Sequence, residues 1–436
     1  MKKLRRNGLL VFVIVMMMSV VIAQDEDKTP TGWSFGGVPA IGGNSDIGLL
    51  YGIILNPYNY GDGSVYPDYK YQIYLEVSRT TKGGGINRVQ FDSKYLLPLG
   101  LRVTGELAYM TEQALPFYGF NGYEADYNPV FEISDVEHED YDASIYKTRV
   151  YYRHERNVLK FTSDFQKKIY GDNLNGLFGV GLFNTEVGTV DISVLNEGKT
   201  EDLLPDSTKT LFDERVESGI INPDEKEGGN TNYLKFGAVY DTRDNEANPM
   251  SGMWTEGLVQ VVPSFLGSDF DYSVFTFTHR QYFSIIPNDL SFAYRVGYQG
   301  VLSGDIPFFM LPYYQSSYQT QEGFGGSKTM RGIMKNRVVG NSVALFNTEL
   351  RWKFLRTQVF GQNLYLALNA FVDGGQVIDK YPVSGDIDGE EALHLSYGGG
   401  FRIALNENFI VAIDYGMAAD EQDGTSGLYI GLGYLY

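Results

Sequence analysis

Several stretches of about ten residues in this chain set an apolar face against a face that carries the polar and charged side chains, and that period of two reads as β-structure. In 343–355, VALFNTELRWKFL, one face carries Ala344, Phe346, Thr348, Leu350, Trp352 and Phe354, and the other carries Asn347, Glu349, Arg351 and Lys353. In 363–373, Leu364, Leu366, Leu368, Ala370 and Val372 oppose Asn363, Asn369 and Asp373. The same pattern sets Val89, Phe91 and Tyr95 against Arg88, Gln90, Asp92 and Lys94, and Leu101, Val103, Leu107 and Tyr109 against Arg102, Thr104 and Glu106. Side chains of a strand point alternately to its two faces, so each segment presents one apolar and one charged surface. Strands of soluble sheets usually run to about 5–6 residues. Alternating strands of about ten residues are those of a transmembrane barrel, with lipid outside and a polar lumen. Backbone groups in lipid must all be paired, which requires such a sheet to close.

The N-terminus places the chain in a matching compartment. Lys2, Lys3, Arg5 and Arg6 precede the apolar run 9–23, LLVFVIVMMMSVVIA, and the acidic stretch Asp25-Glu26-Asp27 follows. This reads as an export signal (1–23) cleaved before Gln24, and it is too short to span a bilayer comfortably. No cysteine is present, so disulfides, thiolate metal sites and a lipoprotein anchor are excluded. Loss of the four basic residues would take the formal charge from −19 to −23, against a nucleic-acid partner. Later runs are too short for helical spans. The 33 Tyr, 27 Phe and 51 Gly suit a barrel with aromatic girdles.

The pattern gives sixteen strands: 33–42, 47–55, 69–80, 86–96, 101–112, 148–169, 176–190, 231–241, 252–262, 270–283, 289–301, 343–355, 363–373, 394–405, 408–417 and 427–436. An even number puts both termini on the periplasmic side. The short connections then fall on that side, and the long ones (113–147, 191–230, 302–342 and 374–393) fall outside. Residues 24–32 are a linker too short for a further domain before the barrel, 33–436. Residues 123–142 hold eight acids and no Lys or Arg, the composition of a solvated outer loop.

Four segments carry a resemblance. "PFYGFNG" (116–122), "YDTRDNEANPMSG" (240–252), "TMRGI" (329–333) and "FVDGG" (371–375) resemble, in that order along the chain, the FYG-type segment, DTRDN turn, R-G-F/Y motif and F-x-D-x-G motif of the bacterial surface antigen family, the BamA/TamA superfamily. Ile333 departs from the aromatic residue usual there. The resemblance implies a 16-stranded outer-membrane barrel whose sixth loop folds into the lumen. It further implies that Arg331, beside Gly332, pairs with acids on strands twelve and thirteen. The alternation independently turns Glu349 and Asp373 inward. Asp241, Arg243 and Asp244 read as bridges of a periplasmic turn ended by Pro249 and Gly252. In the family the seam between first and last strands is weak, and glycines there (Gly36, Gly37, Gly42, Gly43, Gly427, Gly431 and Gly433, with terminal Tyr436) would weaken it.

No GxGxxG, HExxH or P-loop is present, so no enzyme, cofactor or metal site is expected. The segment 385–391, GDIDGEE, lacks the full spacing of a calcium loop. His138, His154, His279 and His394 are scattered and form no HxxxH pair. The resemblance points to assembly or translocation of outer-membrane proteins, directly or as an accessory, with lipid and assembly machinery as partners; family members that do this carry POTRA domains, which the linker does not provide. The second reading is a surface-exposed structural, adhesion or diffusion barrel that works through its acidic loops.

Overall fold

The computed structural model describes residues 31–44, 48–65, 69–81, 83–97, 100–125, 127–133, 137–197, 200, 203–317, 321–359, 362–383, 389–405 and 409–436. The expected export segment, 1–23, and most of the 24–32 linker lie outside them.

Among the described residues, sixteen antiparallel strands, two of them interrupted, form one sheet. They are β1 (Trp33–Pro39, resuming at Gly42–Asn44), β2 (Gly48–Asn59), β3 (Tyr71–Thr80), β4 (Gly84–Leu97), β5 (Leu101–Pro116), β6 (Arg153–Tyr170), β7 (Leu174–Gly188) and β8 (Gly228–Asn230, resuming at Tyr233–Asp241). The second half comprises β9 (Gly252–Val262), β10 (Tyr272–Ile286), β11 (Leu290–Gly304), β12 (Ser342–Val359), β13 (Gln362–Asp379), β14 (His394–Leu405), β15 (Phe409–Ala418) and β16 (Ser426–Leu432). The two interrupted strands keep one register across their breaks: Pro39 faces Ile53 and Gly42 faces Leu50, just as Tyr233 faces Gly181 and Asn230 faces Asn184. Each strand pairs with the next in sequence, and Gly43 and Asn44 of β1 face Ile430 and Tyr429 of β16.

The polarity is inverted relative to a soluble protein. Leu49, Tyr51, Ile53, Leu107, Tyr109, Leu159, Phe161, Phe236, Leu350, Trp352 and Leu368 are exposed, while Glu106, Arg156, Lys160, Lys235, Arg295, Asn347, Arg351 and Arg402 are buried. This is the alternation of the sequence realised in space, with an apolar outer belt and a charged inner face. Among the described residues no helix is long and apolar enough to cross a membrane.

Connections divide between two rims. On one they are short turns, such as 171–173 and 287–289. On the other lie L3 (117–152), L4 (189–227), L6 (305–341), L7 (380–393) and L8 (419–425). Aromatic side chains from L3, L4, L6 and L7 pack into one cluster that includes Phe117, Phe120, Tyr152, Phe212, Phe308, Phe309 and Tyr381. The FYG-type segment ends in this cluster, with Phe120 stacked 4.2 Å from Tyr381.

Two boundary expectations change. β12 and β13 continue to Val359 and Asp379, beyond the segments with clean alternation. The last strand stops at Leu432 instead of reaching 436. Gly433 takes φ 81, and Tyr436 turns in to lie buried against Tyr282 and Ala293, its hydroxyl donating to Ala293 O at 3.1 Å. A left-handed residue ends a strand, and glycine adopts it without a Cβ penalty.

Candidate functional site

The residues 325–333, GGSKTMRGI, form a tight turn on the inner face. Gly325, Gly326 and Gly332 have φ 95, 80 and 97, a region that L side chains rarely adopt. Thr329 ties the turn together, its Oγ1 donating to Gly323 O at 2.7 Å while Gly325 N donates to it at 2.9 Å. Ile333, where the family carries an aromatic residue, is fully buried among Tyr314, Phe324, Met330, Val338 and Leu345. An aliphatic side chain fills the place.

The turn delivers Arg331 to the acids of three strands. Its Nε and Nη2 bond Asp373 Oδ2 and Oδ1 at 2.8 and 3.1 Å, and its backbone N–H adds a third bond to Oδ2 at 3.0 Å. Its Nη1 reaches Glu349 Oε1 at 2.6 Å and Asp414 Oδ2 at 3.3 Å. The guanidinium lies 3.6 Å from the centre of the Phe371 ring, so one face is stacked while the edge is hydrogen-bonded. Arg331, Glu349 and Asp373 are all buried.

Charge is balanced around this centre. Arg351 donates to the other oxygen of Glu349 at 2.7 Å and to the main-chain oxygen of Tyr436 at 2.9 Å. Arg402 forms a fork on Asp414 at 2.8 and 2.8 Å. Three arginines thus meet three carboxylates, the condition under which buried charges are tolerated. Gly332 N–H donates to Tyr429 OH of β16 at 2.9 Å, so the turn also touches the last strand.

The rest of L6 is anchored on the opposite wall. Glu322 accepts from Arg156 of β6 at 3.1 Å, and Lys335 bonds Glu112 of β5 at 3.1 Å. Between these anchors, Asn347 of β12 accepts from Arg295 at 2.7 Å and donates to Thr329 O at 2.7 Å. L6 therefore crosses from β5–β6 to β12–β16 over the inner face.

The DTRDN turn is a compact ion-paired corner. Arg243 makes a fork on Asp241 at 2.9 and 2.8 Å, and Asp244 accepts from Met250 N and Ser251 Oγ at 3.0 and 3.2 Å. Gly252 has φ 94, and a Cβ there would sit 2.2 Å from Thr242 O, while Pro249 is buried in the turn. Glu246 extends the corner to β5 by bonding Arg102 at 3.0 Å.

Of the expected seam glycines, Gly43 lies against β16, and the same register sets Gly42 opposite Gly431. Gly36 and Gly37 face Asn56 and Leu55 of β2, and Gly427 and Gly431 face Gly416 and Ala412 of β15. Among the described residues β1 faces β16 at Gly43 and Asn44 against Ile430 and Tyr429, and β15–β16 holds register from Met417↔Ser426 to Val411↔Leu432. Continuing the β1–β16 register would set Gly37 opposite Tyr436, but Tyr436 has turned inward.

Asp414, Arg351 and Arg402 were not among the expected partners of the Arg331 cluster, although alternation already turned Arg351 and, in FIVAIDYGM, Asp414 inward. A second group was missed altogether. Buried His394 lies between Asp423 and Glu391, beside Arg337 and Tyr123. Among the described residues no group of three or more His, Cys, Asp or Glu is arranged to hold a metal ion. Residues 385–388 of the GDIDGEE segment lie outside the described residues, and Glu391 is engaged with His394 and Tyr123 N.

Comparison with known proteins agrees with this architecture. The model of the Omp85 superfamily domain matches residues 75–435. Among solved structures, BamA from Haemophilus ducreyi lacking POTRA domains 1–3 is similar at TM-score 0.53 and 14% identity, over 93% of this chain and 71% of that one. CdiB from Escherichia coli is similar at TM-score 0.56 and 9% identity, over 92% of this chain and 62% of that one. No curated protein matches the sequence. At such identities the structural likeness speaks for the fold alone, while the family match spans most of the chain. The chain belongs to the Omp85 superfamily, with a β-barrel fold like those of BamA and CdiB.

Proposed function

We propose that this protein is a closed sixteen-stranded outer-membrane barrel that acts in, or as accessory to, the assembly or translocation of outer-membrane proteins through its β1–β16 edge. The observation that carries the reading is the contrast between a last strand that ends before it reaches the start of β1 and a firmly held loop. Among the described residues β1 pairs with β16 at Gly43 and Asn44 and β16 ends at Leu432, which leaves 34–39 as a strand edge beside lipid. An unpaired edge is a template for another strand. Immediately inside it, Gly332 and Tyr429 join L6 to β16, so the loop supports the last strand as the seam opens.

A passive-diffusion role fits less well, because L6 crosses the lumen and an aromatic cluster covers the long-loop rim. The structural or adhesion reading retains one point in its favour, the exposed run 137–140 of L3, which includes Glu137, Glu139 and Asp140. Depletion separates the two. Loss of the protein lowers the outer-membrane levels of other barrel proteins, and a photo-crosslinker at Gly37 captures barrel-protein precursors. Unchanged levels together with no captured precursor would leave only the surface role.

A further inference from the structure

His394, the first residue of β14, is fully buried where L3, L6, L7 and L8 converge. Its Nδ1 lies 2.6 Å from Asp423 Oδ1 of L8, and its Nε2 lies 3.3 Å from Glu391 Oε2 of L7. Its ring stacks on Tyr123 of L3, with centroids 3.9 Å apart and planes 16° from parallel. Each carboxylate is occupied elsewhere too. Asp423 Oδ2 accepts from Tyr123 OH at 2.7 Å, and Glu391 accepts from Tyr123 N and from Val377 N of β13 at 2.9 and 2.8 Å. Arg337 of L6 completes the group, donating to Gly122 O at 2.7 Å and Gln422 O at 2.8 Å with Asp423 3.8 Å away. Beyond these, Lys380 pairs with Glu124 at the exposed margin.

We propose that His394 is a proton-dependent clasp that holds these outer loops together and releases them as pH rises. The argument is one of hydrogen-bond stoichiometry. A neutral imidazole has one N–H and one lone pair, and only the imidazolium donates from both nitrogens. Here both nitrogens face carboxylate oxygens whose remaining partners are donors, so the closed geometry needs the doubly protonated ring. With that proton, His394 and Arg337 balance Asp423 and Glu391. Without it, a nitrogen lone pair faces a carboxylate in a buried site and one negative charge is left over.

The sequence supplies the close fit as well as the charges. Gly122, the last residue of the FYG-type segment, has φ 58, and a Cβ there would lie 2.5 Å from His394 Nε2 and 2.2 Å from Glu391 Oε2. This glycine lets L3 lie against the clasp.

The sign follows from linkage. Opening the clasp releases a proton, so the closed form is fully favoured below about pH 6.5, the ordinary histidine value. Above that, opening rises by up to about tenfold per pH unit until the closed form has itself lost the proton. The test is hydrogen exchange of the purified, detergent-solubilised protein across this range, read in 119–125, 389–394 and 419–425. We expect wild-type protection in these segments to fall in a single-proton step, with strand amides unchanged. His394→Gln, which keeps one donor, should abolish the step, and Asp423→Asn should move it to lower pH. Were a variant to fail to fold, the wild-type profile alone decides. Flat wild-type protection, or a step that persists in His394→Gln, would overturn the proposal.

Discussion

Gly332 of L6 and Gly416 of β15 meet backbone to backbone. A Cβ on Gly416 would lie 2.8 Å from Arg331 C and Gly332 N, and one on Gly332 would lie 2.8 Å from Met417 N. Neither neighbour is a flexible side chain that could move aside. Gly332 also has φ 97. Gly416→Ala should therefore cost about 1–3 kcal/mol through overpacking. Gly332→Ala should cost more, since a left-handed backbone adds roughly 1–2 kcal/mol. The temperature at which the folded band converts to the unfolded one in detergent electrophoresis gives the order: wild type, then Gly416→Ala, then Gly332→Ala.

Arg331 is bonded to three carboxylates, and its removal leaves buried negative charge. Breaking one partner of such a pair costs about 3–5 kcal/mol. Arg331→Ala should lower the conversion temperature strongly and expose L6 to protease. Arg331→Lys should recover little, because an ammonium cannot form the fork on Asp373 while also stacking on Phe371. Protease resistance equal to wild type in Arg331→Ala would show that the loop is held by its other contacts.

The corner made by the DTRDN turn supplies a pH prediction. Burial pushes the Glu246 carboxyl up, but Arg102, Lys94 and Arg243 outweigh it and hold the group at about 2. A depressed carboxylate contributes stability above its unfolded value, about 4.3, and loses it as pH falls toward 2. Glu246 is half exposed, so the contribution is small, within about 1 kcal/mol. Glu246→Gln should cleave faster than wild type in 242–251 at neutral pH, and the two should converge in acid.

Much of this architecture was legible because lipid and lumen impose opposite demands on alternate residues. That demand turned Glu349 and Asp373 inward, and it turned Asp414 inward by the same rule. Strand ends were harder. Past Asp373, β13 continues through GGQVID, where the strand no longer needs an apolar outer face, so periodicity lapses while pairing persists. The terminal strand failed differently: GLGYLY keeps its alternation, but Gly433 permits a turn that periodicity cannot register. His394 was illegible for a third reason. Its partners come from L3, L6, L7 and L8, and no local spacing links Tyr123, Arg337, Glu391 and Asp423.

The seam offers a test without background, since the chain has no cysteine. Gly43 and Ile430 face one another across β1 and β16. Facing residues of an antiparallel pair lie about 4.5–5.5 Å apart at Cα, within the span a disulfide bridges. Gly43→Cys with Ile430→Cys should therefore crosslink on mild oxidation and migrate as a circularised species. Gly37→Cys with Tyr436→Cys probes the other half of the seam. A straight β16 would place these two opposite one another, whereas the turn at Gly433 carries Tyr436 inward to Tyr282 and Ala293. That second pair should crosslink poorly. Equal crosslinking of both pairs would mean that β16 runs straight and the seam is paired throughout, which removes the open edge on which the assembly reading depends. Crosslinking of the first pair alone fixes the seam as closed at the long-loop end and open at the other. In that case the 43–430 disulfide should also block capture of precursor strands at Gly37.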